Sequence, residues 1–247
     1  MITTRTIDID ASARGLATSL HVPSAGHGPL AQRRTLLCPD QRGHGRSPGS
    51  GDAVHTMELL AEDAAAVIRA CSDEPVDVVE LSMGDYVALA LWALHPELLR
   101  SLVLTNTRAA ADGDTAKAGR RASIATVLEH GRAAIAQAML PKLLAPGADP
   151  LLPARVRTMI EDVPVETIVA DLRGLMERAD RTRLLGTITV PTLVVVGDQD
   201  PITPPSEAQL LAKGIAGAQL CIVPGAAHMT PMEQPHAFAA ALGAFWR

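Results

Sequence analysis

The chain has 247 residues, 47% of them hydrophobic and only 2% aromatic, with a net charge of −5. That length supports one domain with a large core of Ala, Leu, Val and Ile and leaves room for an inserted subdomain. The acidic balance and the lack of a Lys/Arg-rich run exclude nucleic acid and an anionic membrane surface as expected partners. The N-terminus, Met1–Thr6, lacks the apolar core of a signal peptide, and the longest apolar stretch, around Tyr86 to Leu94, is too short to span a bilayer. Cys38, Cys71 and Cys221 are odd in number and far apart, so they read as reduced, buried thiols of a cytoplasmic protein with no disulfide and no metal site.

In chain order, Thr4–Asp10 and Leu16–Val22 read as two short strands joined by a turn. Arg34–Cys38 reads as a strand, followed by the Gly-rich loop Pro39–Ser47. Met57–Cys71 has helical spacing, with Leu59, Leu60, Ala64, Val67 and Ile68 on one face. Val76–Leu81 is a strand, Met83–Leu94 a helix and Leu98–Thr105 another strand. Val190–Val196 and Gln219–Val223 are further strands, with a helix around Ser206–Lys213 between them, and Gln234–Trp246 closes the chain as a helix. This alternation predicts an α/β fold: a mostly parallel central sheet with helices on both faces.

The stretch 109–189 breaks that rhythm. Val127, Leu128, Ile135 and Met139 recur at helical spacing, as do Val165, Ile168, Val169, Leu172, Leu175 and Met176, and prolines punctuate it. We expect a helical lid inserted into a core formed by 1–108 and 190–247, roofing an apolar pocket at the C-terminal ends of the strands. The alternative is that these helices only cover the sheet.

Ser82 is the most informative residue. A short apolar run ends at it, and an alanine-rich helix begins at once. A Ser on a sharp strand-to-helix turn is lifted clear of the sheet edge, and the N–H groups of the following helix favour developing negative charge. A Ser in this position can instead be a plain helix N-cap. The local sequence Glu80-Leu81-Ser82-Met83-Gly84 keeps the second glycine of a G-x-S-x-G elbow, which should let the chain turn tightly, and has a glutamate for the first.

Two more strand ends carry chemistry. Leu193–Val196 runs into Gly197-Asp198-Gln199-Asp200 on a Pro-rich turn, and Ile222-Val223 runs into a loop ending in His228. A Ser, an acid and a His, each just past a strand's C-terminal end, can converge on one sheet edge. There the His takes the proton of the Ser, and the acid fixes the imidazole tautomer.

With these segments, Pro39–Ser47 (P-D-Q-R-G-H-G-R-S), Leu81–Leu91, Gly197–Pro205 and Pro224–His228, the chain resembles the α/β-hydrolase superfamily over nearly its whole length. Within it the chain looks most like 3-oxoadipate enol-lactonase-type esterases and lactonases, through Leu81–Gly84, Tyr86–Ala88 and Glu177–Asp180. The resemblance implies a triad of Ser82, Asp200 and His228, with Asp200 preferred to Asp198, and a first oxyanion N–H from Met83. It implies no cofactor. His44, in the Gly-rich loop, is a candidate substrate contact, although its loop reads more simply as a structural turn.

The chain also departs from the family. The strand, His-Gly loop and helix that normally precede P-D-x-R-G are shortened. His21-Val22 or His27-Gly28 would stand in for His-Gly, which puts Pro23 or Pro29, neither with an N–H, where the second oxyanion donor should be. That donor is therefore unassigned, and its loss costs about 10²–10³ in kcat. Glu80 and Asp85 add negative charge near the elbow, and Ala227 replaces a common Gly. The expected function is hydrolysis of a small-molecule carboxylic ester or lactone through an acyl-enzyme, with Glu80 and the shortened N-terminal region slowing it. The alternative is an impaired homologue that binds a small apolar ligand.

Overall fold

The computed structural model describes residues 36–49 and 51–247. The expected strands Thr4–Asp10 and Leu16–Val22, and His21, Pro23, His27 and Pro29, lie outside the described residues. Of the expected strand Arg34–Cys38, residues 36–38 are described and are not in a strand. Leu36 and Leu37 are both 44% exposed there.

Helix α1 spans Met57–Cys71 and starts where the Thr56 hydroxyl accepts the N–H of Leu59 at 3.1 Å. Strand β1 (Val76–Leu81), helix α2 (Met83–Leu94) and strand β2 (Leu99–Thr105) follow. Three helices lie before the next strand: α3 (Asp114–Leu143), α4 (Leu152–Glu161) and α5 (Val165–Glu177). The chain then runs through β3 (Thr192–Gly197), α6 (Pro205–Gly214), β4 (Gln219–Val223), the short α7 (Thr230–Glu233) and α8 (Pro235–Phe245).

The described strands form one sheet in the order β1-β2-β3-β4, and every pairing is parallel. All six residues of β3 are buried, and its central run Leu193–Val196 is apolar, as a strand covered on both faces should be. Leu102, Leu104, Val194 and Val196 point into the cluster under α1, α2 and α6, and their neighbours Val103, Leu193 and Val195 point into the cluster under α8 with Phe238 and Leu242. The two-residue period thus divides one sheet between two cores. Leu81 pairs with Thr105, Thr105 with Val195 and Gly197 with Val223. That register makes all four strands end at one edge, where Ser82, Asn106, Asp198 and Pro224 leave the sheet.

Two expectations about burial are corrected. Leu128 is 64% exposed and Met139 39%, so they do not belong to a buried stripe on α3. Gly131, at φ 77° and ψ −176°, kinks α3 and breaks the helical phase, so of those four residues Val127 and Ile135 reach the cluster with Val169. The cysteines are free thiols, but Cys38 is exposed, and Cys71 and Cys221 are half-buried. Cys71 is the last residue of α1, and Cys221 lies on β4, the outer strand of the described sheet. No helix among the described residues is long and apolar enough to cross a membrane.

Candidate active site

Ser82 occupies the turn between β1 and α2 with φ 56° and ψ −108°. A side chain in that region costs about 1–3 kcal/mol and persists only where its surroundings hold it. Here the Ser82 N–H donates to the Thr105 carbonyl at 2.9 Å, and the Thr107 hydroxyl donates to the Ser82 carbonyl at 3.2 Å. The Ser82 side chain does not cap α2. Its Oγ lies 2.8 Å from Nε2 of His228. Met83 is the first residue of α2, so its N–H has no acceptor within the helix.

The tight turn comes from Ser82 itself, which corrects the part expected of Gly84. Gly84 is helical, and a Cβ there would collide with the Glu80 carboxyl. The second glycine therefore makes room for Glu80.

His228 is buried, and its Nδ1 lies 2.9 Å from Oδ2 of Asp200. A carboxylate on that side places the ring proton on Nδ1 and leaves Nε2 free to accept from Ser82. Asp200 is saturated with donors. Oδ2 also accepts Nδ2 of Asn106 at 2.8 Å and the Thr203 hydroxyl at 2.6 Å, and Oδ1 accepts the N–H groups of Ile202 at 2.8 Å and Thr203 at 3.1 Å. Burial alone would raise the Asp200 pKa. Its bond to His228, with those from Thr203 and Asn106, outweighs burial and holds it down at about 2. Asp198 is different: it is exposed, and its Oδ1 accepts the Gly225 N–H at 2.8 Å. Gly197 lets these loops meet, because a Cβ there would strike the carbonyls of Ala226 and Ala227.

Asn106 and Thr203 escaped the sequence reading. Asn106 is fully buried at φ 52°, and its Nδ2 bonds both Asp200 and the Ala227 carbonyl at 3.0 Å. The one sequence signal was an Asn directly after a strand, a residue type that tolerates the left-handed region.

Glu80 needs the largest correction. Its Oε2 is sealed from solvent and has no hydrogen-bond partner among the described residues. Burial pushes its pKa up to about 8, so at neutral pH the side chain is mainly an uncharged acid. The negative charge expected beside the oxyanion is therefore largely absent. Asp85 lies near it, fully buried, and accepts the Thr105 N–H at 3.2 Å. Burial first raises its pKa as well, and an ionised Glu80 would raise it further.

This arrangement predicts a pH-dependent stability. The folded-state pKa of Glu80 lies above the ordinary value of 4.5. Its contribution is complete below about pH 4.5 and is lost as pH rises through 8. Glu80→Gln, a neutral isostere, should gain on the order of 4 kcal/mol over wild type between pH 5 and pH 9. Urea unfolding at both pH values measures this, and a pH-independent difference would count against a titrating Glu80.

His44 bonds within its own loop and to α5. Its Nδ1 lies 3.2 Å from the Arg42 carbonyl, and its Nε2 3.3 Å from Oδ2 of Asp171 on α5. Asp171 also pairs with Nδ1 of His55 at 2.7 Å. These contacts pin α5 to the Gly-rich loop. A cleft of about 390 Å³ opens beside them, lined by Gly51, His55, Leu128, Val165 and Val169 among others, and neither Ser82 nor His228 lines it. Nearer the site, the Arg178 guanidinium sits 4.1 Å over the Tyr86 ring of α2 and pairs with Asp112 at 2.6 Å.

Residues 14–235 match the alpha/beta hydrolase fold family. The pimeloyl-[acyl-carrier protein] methyl ester esterase of Neisseria meningitidis serogroup A is 32% identical over 200 residues, which are 78% of this chain and 64% of that protein. The chain thus spans just under two thirds of that relative. The 3-oxoadipate enol-lactonase 2 of Acinetobacter baylyi is 29% identical over 206 residues, 82% of this chain and 75% of that protein. A thermophilic esterase from Thermogutta terrifontis, solved with malate bound, superposes with a TM-score of 0.86 at 35% identity, covering 90% of this chain and 83% of that one. The parallel sheet, the strand-end turns and these matches together make the chain a member of the α/β-hydrolase fold family.

Proposed function

We propose that this protein is a carboxylic ester hydrolase that cleaves a small ester or lactone through an acyl-enzyme on Ser82. The observation that carries this reading is the hydrogen-bonded chain from Ser82 Oγ to His228 Nε2 at 2.8 Å and from His228 Nδ1 to Asp200 Oδ2 at 2.9 Å. His228 takes the Ser82 proton as Oγ attacks the carbonyl carbon, and the Met83 N–H faces the oxyanion. The tetrahedral intermediate collapses, the C–O bond breaks, and the leaving alkoxide takes the proton back from His228. Water, deprotonated by His228, then attacks the acyl-enzyme and releases the acid, returning the proton to Ser82. In a lactone, alcohol and acid leave as one molecule.

The relatives' names support this substrate class: one acts on a methyl ester, the other on an enol-lactone. The helical insertion 109–189 acts as a cap, a reading supported by the Arg178–Tyr86 contact with the helix behind Ser82. The binding-only alternative loses one of its grounds, because Glu80 is mainly neutral at pH 7. The expectation of a slow reaction then rests on Pro23 and Pro29 alone.

A fluorophosphonate probe tests the nucleophile directly. It should label Ser82, identified by peptide mapping, and should fail to label Ser82→Ala. Equal labelling of the two proteins would overturn the assignment.

A further inference from the structure

Glu233, at the end of α7, lies behind the His228 loop. Its Oε1 accepts the backbone N–H groups of Ala227 at 2.9 Å and Met229 at 3.1 Å, the residues on either side of His228. Its Oε2 accepts the N–H of Ala145 at 2.6 Å, just past the end of α3. The Met229 N–H also reaches the Leu143 carbonyl at 3.1 Å.

One carboxylate thus holds both flanks of His228 and the end of the inserted helix α3. Hydrogen bonds from N–H groups to a carboxylate are roughly twice as strong as neutral ones. The packing repeats the same linkage. Leu143, Leu144, Leu152, Val156 and Met232 are buried as one cluster, with Met229 and Ile202 packed against it. Ile202 in turn donates its N–H to Asp200. The loops that carry the acid and the base are therefore built into the hydrophobic core of the insertion.

We propose that Glu233 is a positioning residue for His228, and that through it the end of α3 sets the place of the imidazole over Ser82. The inference rests on the reading of His228 as general base. It makes the insertion part of the catalytic geometry as well as a cover. If α3 shifts at its C-terminal end, Ala145 pulls on the carboxylate that fixes Ala227 and Met229.

The test compares Glu233→Gln and Glu233→Ala in the full chain, using kcat and KM on a p-nitrophenyl ester, the rate of fluorophosphonate labelling, melting temperature, and hydrogen exchange over 143–148 and 225–230. Gln keeps one acceptor oxygen but turns an NH2 donor toward one of the two groups of N–H donors. Displacing a reacting group by about 1 Å costs about 10²-fold, so kcat should fall by that much in Glu233→Ala and by about ten-fold in Glu233→Gln. KM should stay within about three-fold of wild type, as for an interaction that matters only in the transition state. Labelling should slow in parallel, and exchange should rise together in both segments.

Wild-type kcat in both variants with a lowered melting temperature would mean a loop staple only and would overturn the inference. A rate loss confined to KM would do so as well. If Glu233→Ala does not fold, Glu233→Gln carries the comparison. A Ser82→Ala protein that keeps its turnover overturns the acyl-enzyme reading instead. A dead Ser82→Ala beside fully active Glu233 variants overturns this inference alone.

Discussion

Ser82→Ala should lower kcat on an activated ester by on the order of 10⁶-fold, the scale seen when a serine nucleophile that works as one unit with its base is removed. The fold should survive. The Ser82 N–H is held by the Thr105 carbonyl and the Ser82 carbonyl by the Thr107 hydroxyl, both through main-chain groups of residue 82 that Ala retains, and Ser and Ala bear the same strain at φ 56°. The lost hydrogen bond, from Oγ to His228, lies inside the site. Steady-state kinetics with an unchanged melting temperature would show the separation. Wild-type turnover by the well-folded variant would remove Ser82 from the mechanism.

Asp200→Asn should cost about 10⁴-fold in kcat with little change in KM. Every group facing the Asp200 carboxylate through a hydrogen bond is a donor: His228, Asn106 and Thr203 toward Oδ2, Ile202 and Thr203 toward Oδ1. An Asn amide must turn its NH2 toward one of those sets. If it faces His228, the ring takes the other tautomer, Nε2 carries the proton, and the base cannot accept from Ser82. Asp198→Asn is the control. That side chain is exposed and bonds the Gly225 N–H, so its loss should change kcat by no more than a few-fold, about 1 kcal/mol or less. Equal losses at the two positions would show that Asp200 is not the acid partner.

The sign of the acid-side dependence follows from the same contacts. The Asp200 pKa is depressed below the ordinary 3.8 to about 2. Its contribution is present above about pH 4 and is lost as pH falls through 2, an amount of about 2 kcal/mol for a carboxylate this deeply buried.

The sequence by itself determined the four described strands and named the candidate trio. The run Leu193–Val196 is apolar without interruption because both faces of β3 are covered, and Met83–Leu94 is alanine-rich because α2 packs closely on that sheet. Strand–helix alternation fixes parallel strands, and parallel strands end at one edge, so Ser82, an acid at Asp198 or Asp200, and His228 stood out as candidates from their places after strands, while the preference for Asp200 came from the family resemblance. Tertiary structure alone decided how the trio is held and charged. Asn106 reaches Asp200 across 94 residues of chain, and Glu233 reaches Ala145 across 88. No local pattern marks such partners, because they depend on which loops the sheet register brings together. The protonation of Glu80 was equally out of reach. Spacing placed a carboxylate beside the elbow, but its charge depends on burial against Gly84, and burial is a property of the assembled core. Leu128 fell outside the stripe its spacing predicted because the kink at Gly131 resets the helix. Periodicity and motifs are local signals, so they identify elements and the residues at their ends. Solvent exclusion and hydrogen bonds between distant segments decide what those residues become.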